Sequence, residues 1–451
     1  MYTDQIERID RAIEASRETL TQDIIKLVGI KSVKGPSEPG APFGRGPRDV
    51  LDAVLEMGKS EGFFAVDYNV GVVSLALKDG QPDLGIWIHG DVMPEGQGWN
   101  FDPYRAIEYK GRVVGRGSAD NKGQLGAMFH LLKIFKELGI SLKYNPAIYV
   151  GSDEESGMYD MQGIPGNDDA RGFCNVCTPP RLSLVADSSF PVGYGGNGTM
   201  LMTFSAQKPF QGISILAGQN EDPGKAKATF YGKTVVTHSP IRHPSKPDPN
   251  GNMITKLMER LLEDDIVPAE QRSVLEFFKR LSLDIHGDSF GIHVETKDLK
   301  PVTVFAQRID MRGDIPELTI SLRYPIEITA EEVIEKMGKE AALYGVSLSK
   351  IERQRKPYVL DRNWPVLQKL KEIAQDITKE EKEPYTISGG TYAHWLPNAL
   401  IYGTDANVPP EDFPADRGKA HGLDECVSLD RLQRAMKIYA RALLLLNDME
   451  W

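Results

Sequence analysis

LGIWIHGDVMP, residues 84–94, runs almost wholly apolar to Ile88 and then places a histidine and an aspartate two residues apart. The apolar part is strand-like, and in extended chain residues two apart point the same way, so His89 and Asp91 share a face. Upstream, a helical pattern over Val50–Glu61 and strand-like runs over Ala65–Leu77 precede it. Downstream, Gly123–Leu138 has helical periodicity and Ala147–Val150 reads as a short buried strand. Strands alternating with helices predict an α/β layer structure with a mixed, mostly parallel sheet flanked by helices.

Further out the texture changes. The first ~30 residues read as one amphipathic helix, with Ile6, Ile9, Ile13, Leu20, Ile24 and Leu27 at helical spacing. A Gly/Pro-rich loop follows over residues 35–47. Beyond Pro191 comes a glycine cluster, then strand-like runs at Val302–Ile309 and Leu318–Tyr324 and helices at Ile254–Leu262 and Glu331–Tyr344. From Tyr385 a Gly-rich loop, a strand at Ala399–Tyr402 and a helix over Ser428–Leu446 close the chain. These shifts predict residues 194–385 as an α+β domain inserted between two halves of the first, 1–193 and 386–451.

The 451 residues suffice for two or three cores, and 41% hydrophobic with 26% charged is ordinary globular composition. A net charge of −11 argues against nucleic acid, whose phosphates demand a basic face. The longest apolar runs, such as Ala442–Leu446, are too short to cross a bilayer. MYTDQIERIDRAIEASRE lacks the apolar centre of a signal peptide, and three cysteines argue against a disulfide framework, so a cytoplasmic protein is expected. Glycine clusters such as GGNG lack the lysine and strand–helix context of a phosphate loop.

Five segments place acids or histidines at strand ends or in glycine-rich turns: WIHGDVMP, GRGSADNKG with Asp120, GSDEESG with Asp153, Glu154 and Glu155, VADSSFP with Asp187, and KAHGLDE with His421. In an open α/β sheet such ends converge on one crevice. Histidine nitrogen and carboxylate oxygen are ligands that catalytic zinc accepts. A dinuclear site needs a bridging carboxylate, and Asp120 in its tight turn could reach both metals. Asp91 can accept the second imidazole N–H of His89 and fix its tautomer. Glu154 and Glu155 diverge in extended chain, so one can bind metal while the other acts as general base. Any one of these segments alone is weak, but coincidence explains all five poorly.

In this order the segments resemble the dinuclear zinc peptidases that include aminoacylases, succinyl-diaminopimelate desuccinylase and dipeptidase V. The resemblance covers nearly the whole chain and is closest to the dipeptidase-V-like (PepV-like) branch, through PFGRGP, GWNFDPY, GRGSADNKG, GSDEESG and SGGTYAHWLPNA. It implies an α/β catalytic domain with an inserted lid, and two Zn2+ per chain, for which Mn2+ or Co2+ could substitute. By similarity His89 and Asp187 would bind one zinc, Glu155 and His421 the other, and Asp120 would bridge, with a cis peptide after it. Asp91 would orient His89, and Glu154 would be general base and acid. YGKTVVTHSP and LTISLRYP would bring His238 to the oxyanion and Arg323 to the substrate carboxylate. Gly389, Gly390 and Thr391 would offer backbone N–H groups to the same carboxylate.

That set implies hydrolysis of dipeptides, with an N-acyl amino acid deacylase or carboxypeptidase as the alternative and a non-catalytic metal-dependent binding protein ranked low. An insertion of this size implies a monomer. The chain departs from the pattern at Gly195–Gly198, where relatives carry Gly-Glu-Lys-Gly, and at His394, where they place an arginine. Cys174 and Cys177 read as incidental thiols, His130 as a core histidine, and His243, His286 and His293 receive no role.

Overall fold

The computed structural model describes residues 2–451 except 165–170, 220–221, 241, 243, 264–266, 407–412 and 414–416, so His243 lies outside the described residues. The chain divides into two compact units, one of Met1–Tyr194, Leu360–Tyr385 and Thr391–Trp451, the other of Gly195–Val359 and Thr386–Gly390.

The strand Leu84–His89 sits inside the sheet of the first unit and is buried along its whole length. It pairs in parallel with Pro146–Gly151 on one side and Leu182–Val185 on the other, and Ala399–Ile401 continues the parallel set. Parallel pairing ends there. Phe64–Asp67 and Val72–Ala76 form a hairpin whose second strand joins Pro146–Gly151 antiparallel. The sheet is thus mixed, with its parallel part at the centre, where both faces are covered and the strands read as unbroken apolar runs. The helix Gly123–Glu137 packs beside them, buried through most of its length, which explains why it is apolar on nearly every face. The N-terminal segment is two helices, Thr3–Ala15 and Arg17–Val28, where the apolar periodicity alone predicted one. Ser16 between them turns its hydroxyl back to Ile13 O, a local bond that competes with helix continuation.

Residues 360–385, which the composition grouped with the insertion, cluster with the first unit. Their helix Pro365–Thr378 takes the Tyr402 hydroxyl bond at Leu370 O. No helix among the described residues is long and apolar enough to cross a membrane.

The second unit is a seven-stranded antiparallel sheet that buries its apolar face against the helices Met253–Leu262, Ala269–Leu283 and Ala330–Leu343. Ile213–Gln219 shows the reason in miniature: Ile213, Ile215 and Ala217 are buried and Ser214 and Leu216 exposed, the period of a strand with one wet face. Thr329 and Glu332 cap the helix Ala330–Leu343 reciprocally, which fixes where it starts.

Candidate metal centre

Five segments of the first unit carry the acids and histidines to one place. His89 ends the central strand and Asp187 follows its parallel neighbour Leu182–Val185. Glu154 and Glu155 open the turn after Pro146–Gly151, and Asp120 lies in the turn entering the helix Gly123–Glu137. The Asp120–Asn121 peptide bond is cis. His421 comes from a loop near the C-terminal helix, at φ +62°. A left-handed backbone at a residue with a side chain costs about 1–3 kcal/mol and persists where surroundings enforce it.

The geometry divides the ligand atoms into two groups that share Asp120. His89, Asp120 and Asp187 form one, and Asp120, Glu155 and His421 the other. Asp120 splits its oxygens between them: Oδ1 lies 2.9 Å from His89 Nε2, and Oδ2 lies 3.1 Å from His421 Nε2. Asp187 Oδ2 is 3.9 Å from His89 Nε2. Glu155 Oε1 is buried and 2.8 Å from His421 Nε2, yet makes no hydrogen bond. Nitrogen and carboxylate oxygen atoms gathered this closely form a donor set that fits a divalent cation.

The charge pattern agrees. Burial pushes the Asp187 carboxyl up to about 7, and the Asp120 charge adds to it. Burial raises Glu155 as well, against the pull of His421. Burial opposes charging His421, but Asp120 and Glu155 outweigh it and lift it to about 11. Burial also opposes charging His89, and its bonds to Asp120 and Asp91 win, raising it well above the usual range. Binding of a cation would have to displace protons from raised groups such as Asp187, His89 and His421. Cation uptake is expected to release protons and to tighten as pH rises through about 7, where Asp187 deprotonates. Calorimetry in buffers of different ionisation enthalpy reads this directly; uptake without proton release, or tighter at about pH 5.5 than at about pH 7.5, would contradict it.

Around the ligands the structure differs from the sequence reading in one bond and adds two features. His89 Nδ1 donates to the Asp91 backbone carbonyl at 3.0 Å, and the Asp91 carboxylate stands 3.5 Å away. That bond leaves Nε2 as the coordinating atom. The Asp91 carboxylate instead accepts from Glu154 N and Glu155 N, both at 3.1 Å, and so ties the strand end to the acidic turn. Asp91→Ala is expected to lower cation affinity or turnover about 10–100-fold, the usual cost of losing an outer partner. Metal titration and kcat/KM check it, and an unchanged variant would remove Asp91 from the site.

Sequence reasoning missed the buried pair Arg116–Glu425 (2.6 Å). Glu425 Oε1 accepts from Ala119 N and Asp120 N, both at 3.0 Å, and Arg116 Nη2 donates to His421 O at 3.2 Å. Burial pushes Glu425 up to about 7 against the pull of Arg116. Removing one partner would strand a buried charge, at a cost of about 3–5 kcal/mol. The arginine of GRGSADNKG and the last glutamate of KAHGLDE were the available signals. Asp160, buried, accepts from the Tyr392 hydroxyl at 2.6 Å and from Ser152 N and Asp153 N, bracing the acidic turn from behind.

Neither group includes the remaining candidates. Arg323, Gly389 and Gly390 belong to the second unit, where Arg323 Nε donates to Ser388 O at 2.7 Å. His238 ends the strand Lys233–His238 of that unit, and its ring is exposed with no partner among the described residues. Thr391 N is directed at His394 Nδ1 at 3.4 Å, a local use of that N–H. Cys174 donates to Trp395 O, and the cysteines join no ligand group among the described residues. His130 is buried against Asp23.

An α/β unit that gathers histidine and carboxylate into two groups, each able to hold a cation, has the build of a metal-dependent hydrolase. The model of peptidase family M20/M25/M40 matches residues 85–445, and the chain belongs to that family. Over 471 residues it is 26% identical to "Putative dipeptidase SH1171" of Staphylococcus haemolyticus, covering 94% of this chain and 96% of the relative. It is also 26% identical, over 461 residues, to "Putative dipeptidase YtjP" of Bacillus subtilis, covering 95% and 97%. Among solved structures, the di-peptidase Dug1p of Saccharomyces cerevisiae superposes at a TM-score of 0.61 with 15% identity, covering 99% of each chain. Human carnosine dipeptidase 1 does so at 0.59 with 14% identity, covering 98% of this chain and all of that one. At such identities the likeness to solved structures is one of fold.

Proposed function

We propose that this peptidase hydrolyses the amide bond of dipeptides with two zinc ions, His89 and Asp187 holding one, Glu155 and His421 the other, and Asp120 bridging. Manganese or cobalt would suit the same ligands. The observation that carries the reading is the pair of ligand groups sharing Asp120, with the Glu154 carboxylate beside them and accepting no hydrogen bond from a described residue. Bound there, divalent cations would supply a water that ionises near neutral pH and would polarise the scissile carbonyl.

Glu154 then takes the water proton on its carboxylate and returns it to the leaving amine. Burial and the charges of Asp187, Glu155 and Asp120 hold Glu154 well above the usual carboxylate range, while His89 opposes them. Added positive charge would draw it back toward the base form. His238 would donate to the oxyanion. Arg323, with Gly389, Gly390 and Thr391, would take the peptide carboxylate, and a lid closed over a substrate held in this way would admit only short chains. Relatives named as dipeptidases at near-full length support this choice. We place the enzyme in the cytoplasm as a monomer, on the sequence grounds above.

The test is a panel of free dipeptides, their N-acetylated forms and tripeptides, with metal-loaded and chelated enzyme. Metal-dependent cleavage of free dipeptides alone is expected. Cleavage of only the acetylated compounds would make the enzyme a deacylase, and cleavage of longer peptides a carboxypeptidase.

A further inference from the structure

The PFGRGP segment and the lysine that precedes it have no part in the chemistry above, yet they lie against the turn that carries Glu154 and Glu155. Ser32 Oγ donates to Gly90 O at 2.6 Å, Val92 N donates to Ser32 O at 3.1 Å, and Val33 bridges Val92 in parallel. Residues 32 and 33 are thereby fixed to the chain just after His89. The next residue, Lys34, reaches the acidic turn, where its Nζ donates to Asp153 Oδ1 at 2.6 Å.

The ammonium is walled as well as paired. It lies 5.2 Å from the centre of the Phe43 ring and 5.3 Å from that of Tyr159, within the range of cation–π attraction. Phe43 comes back beside Lys34 because Gly35 N donates to Phe43 O at 2.9 Å. Glycine is required at residue 44, where φ is +101° and a Cβ would lie 2.6 Å from Gly35 N, and at residue 46, where it would lie 2.2 Å from Lys31 O. PFGRGP is thus a loop folded back on residues 31–35, and its phenylalanine forms one wall of the lysine's site.

Asp153 depends on this partner more than Lys34 does. Its side chain is fully buried, while that of Lys34 is 34% exposed. Asp153 Oδ2 accepts from Tyr159 N at 3.0 Å, and Asp153 O accepts from Met158 N at 2.7 Å and Gly157 N at 3.2 Å, so this one residue closes the turn with both its side chain and its backbone. A buried carboxylate left without its cation is the costly half of a broken pair. Loss of the ammonium would disturb the turn at the residue before Glu154, whereas loss of the carboxylate would release a lysine that already meets solvent.

We propose that Lys34 is a positioning residue of the metal centre: paired with Asp153 and walled by Phe43 and Tyr159, it holds the acidic turn so that Glu154 and Glu155 keep their places. Its action runs through Asp153 and not through contact with substrate. The proposal rests on the reading of Glu155 as a metal ligand and Glu154 as the proton carrier.

The experiment measures kcat and KM on the best-cleaved dipeptide at saturating zinc, and zinc affinity by calorimetry, for wild type, Lys34→Met, Lys34→Arg and the double variant Lys34→Met with Asp153→Asn. Lys34→Met is expected to lower kcat and to weaken one of the two cations, each about ten- to hundredfold, the usual range for a lost outer partner. KM should stay within about twofold, since no substrate contact is removed. Lys34→Arg keeps the charge and should retain part of the loss as activity. The double variant strands no buried charge, so it should return kcat and zinc affinity to within about fivefold of wild type.

A double variant as impaired as Lys34→Met would overturn the proposal, and so would unchanged kcat and zinc affinity in Lys34→Met. A raised KM at constant kcat would make Lys34 a substrate contact and overturn it as well. If Lys34→Met does not fold, the double variant still decides: values near wild type support the pairing, and losses of about ten- to hundredfold overturn it. Zinc affinity separates this proposal from the dipeptidase reading. If the wild type cleaves no dipeptide, but Lys34→Met weakens zinc and the double variant restores it, the positioning role stands and the dipeptidase reading falls.

Discussion

Glu154→Gln is expected to lower kcat by about a hundred- to ten-thousandfold, the contribution of a positioned general acid–base, while leaving two cations bound per chain. The side chain keeps its shape and loses only its ability to carry a proton. Its carboxylate belongs to neither ligand group, so cation content should not change. Its backbone N–H remains available to the Asp91 carboxylate, so the turn should stay in place. Single-turnover kinetics on a good dipeptide, with metal analysis of the same sample, separates the two effects. Near-normal turnover would remove Glu154 from proton transfer, and lost metal would make it a ligand.

Asp120→Ala should have the larger effect on the metals. Its two oxygens face different histidines, so the substitution takes a ligand from both groups at once. Loss of an outer partner already costs about 10–100-fold in metal affinity, and loss of the shared ligand should exceed that for both cations. Activity should fall below detection at ordinary metal concentrations. His421→Ala supplies the contrast, because it belongs to one group only and should leave the other cation in place. If Asp120→Ala retained one tightly held cation, the shared-ligand arrangement would be wrong.

Much of this centre was legible in the sequence because its residues sit where local pattern ends. His89 closes an apolar run, Asp120 lies between glycines, and Glu154 and Glu155 follow a buried strand, so periodicity located each of them. What joins those ends was not legible. Glu425 holds the backbone of Asp120 across 305 residues of chain, and Asp91 reaches Glu154 N across 63. No periodicity records pairings at that separation. The Asp91 carboxylate was read as the partner of its near neighbour His89; it stands 3.5 Å from Nδ1, and the Asp91 carbonyl at 3.0 Å is a nearer acceptor that the spacing did not reveal.

The central claim is that two cations share Asp120. Crystals grown with zinc, with diffraction collected on both sides of the zinc absorption edge, test it most directly. Two anomalous peaks are predicted, one bounded by His89 and Asp187, the other by Glu155 and His421, with one oxygen of Asp120 directed at each. A single peak, or two peaks neither of which Asp120 touches, would contradict the account.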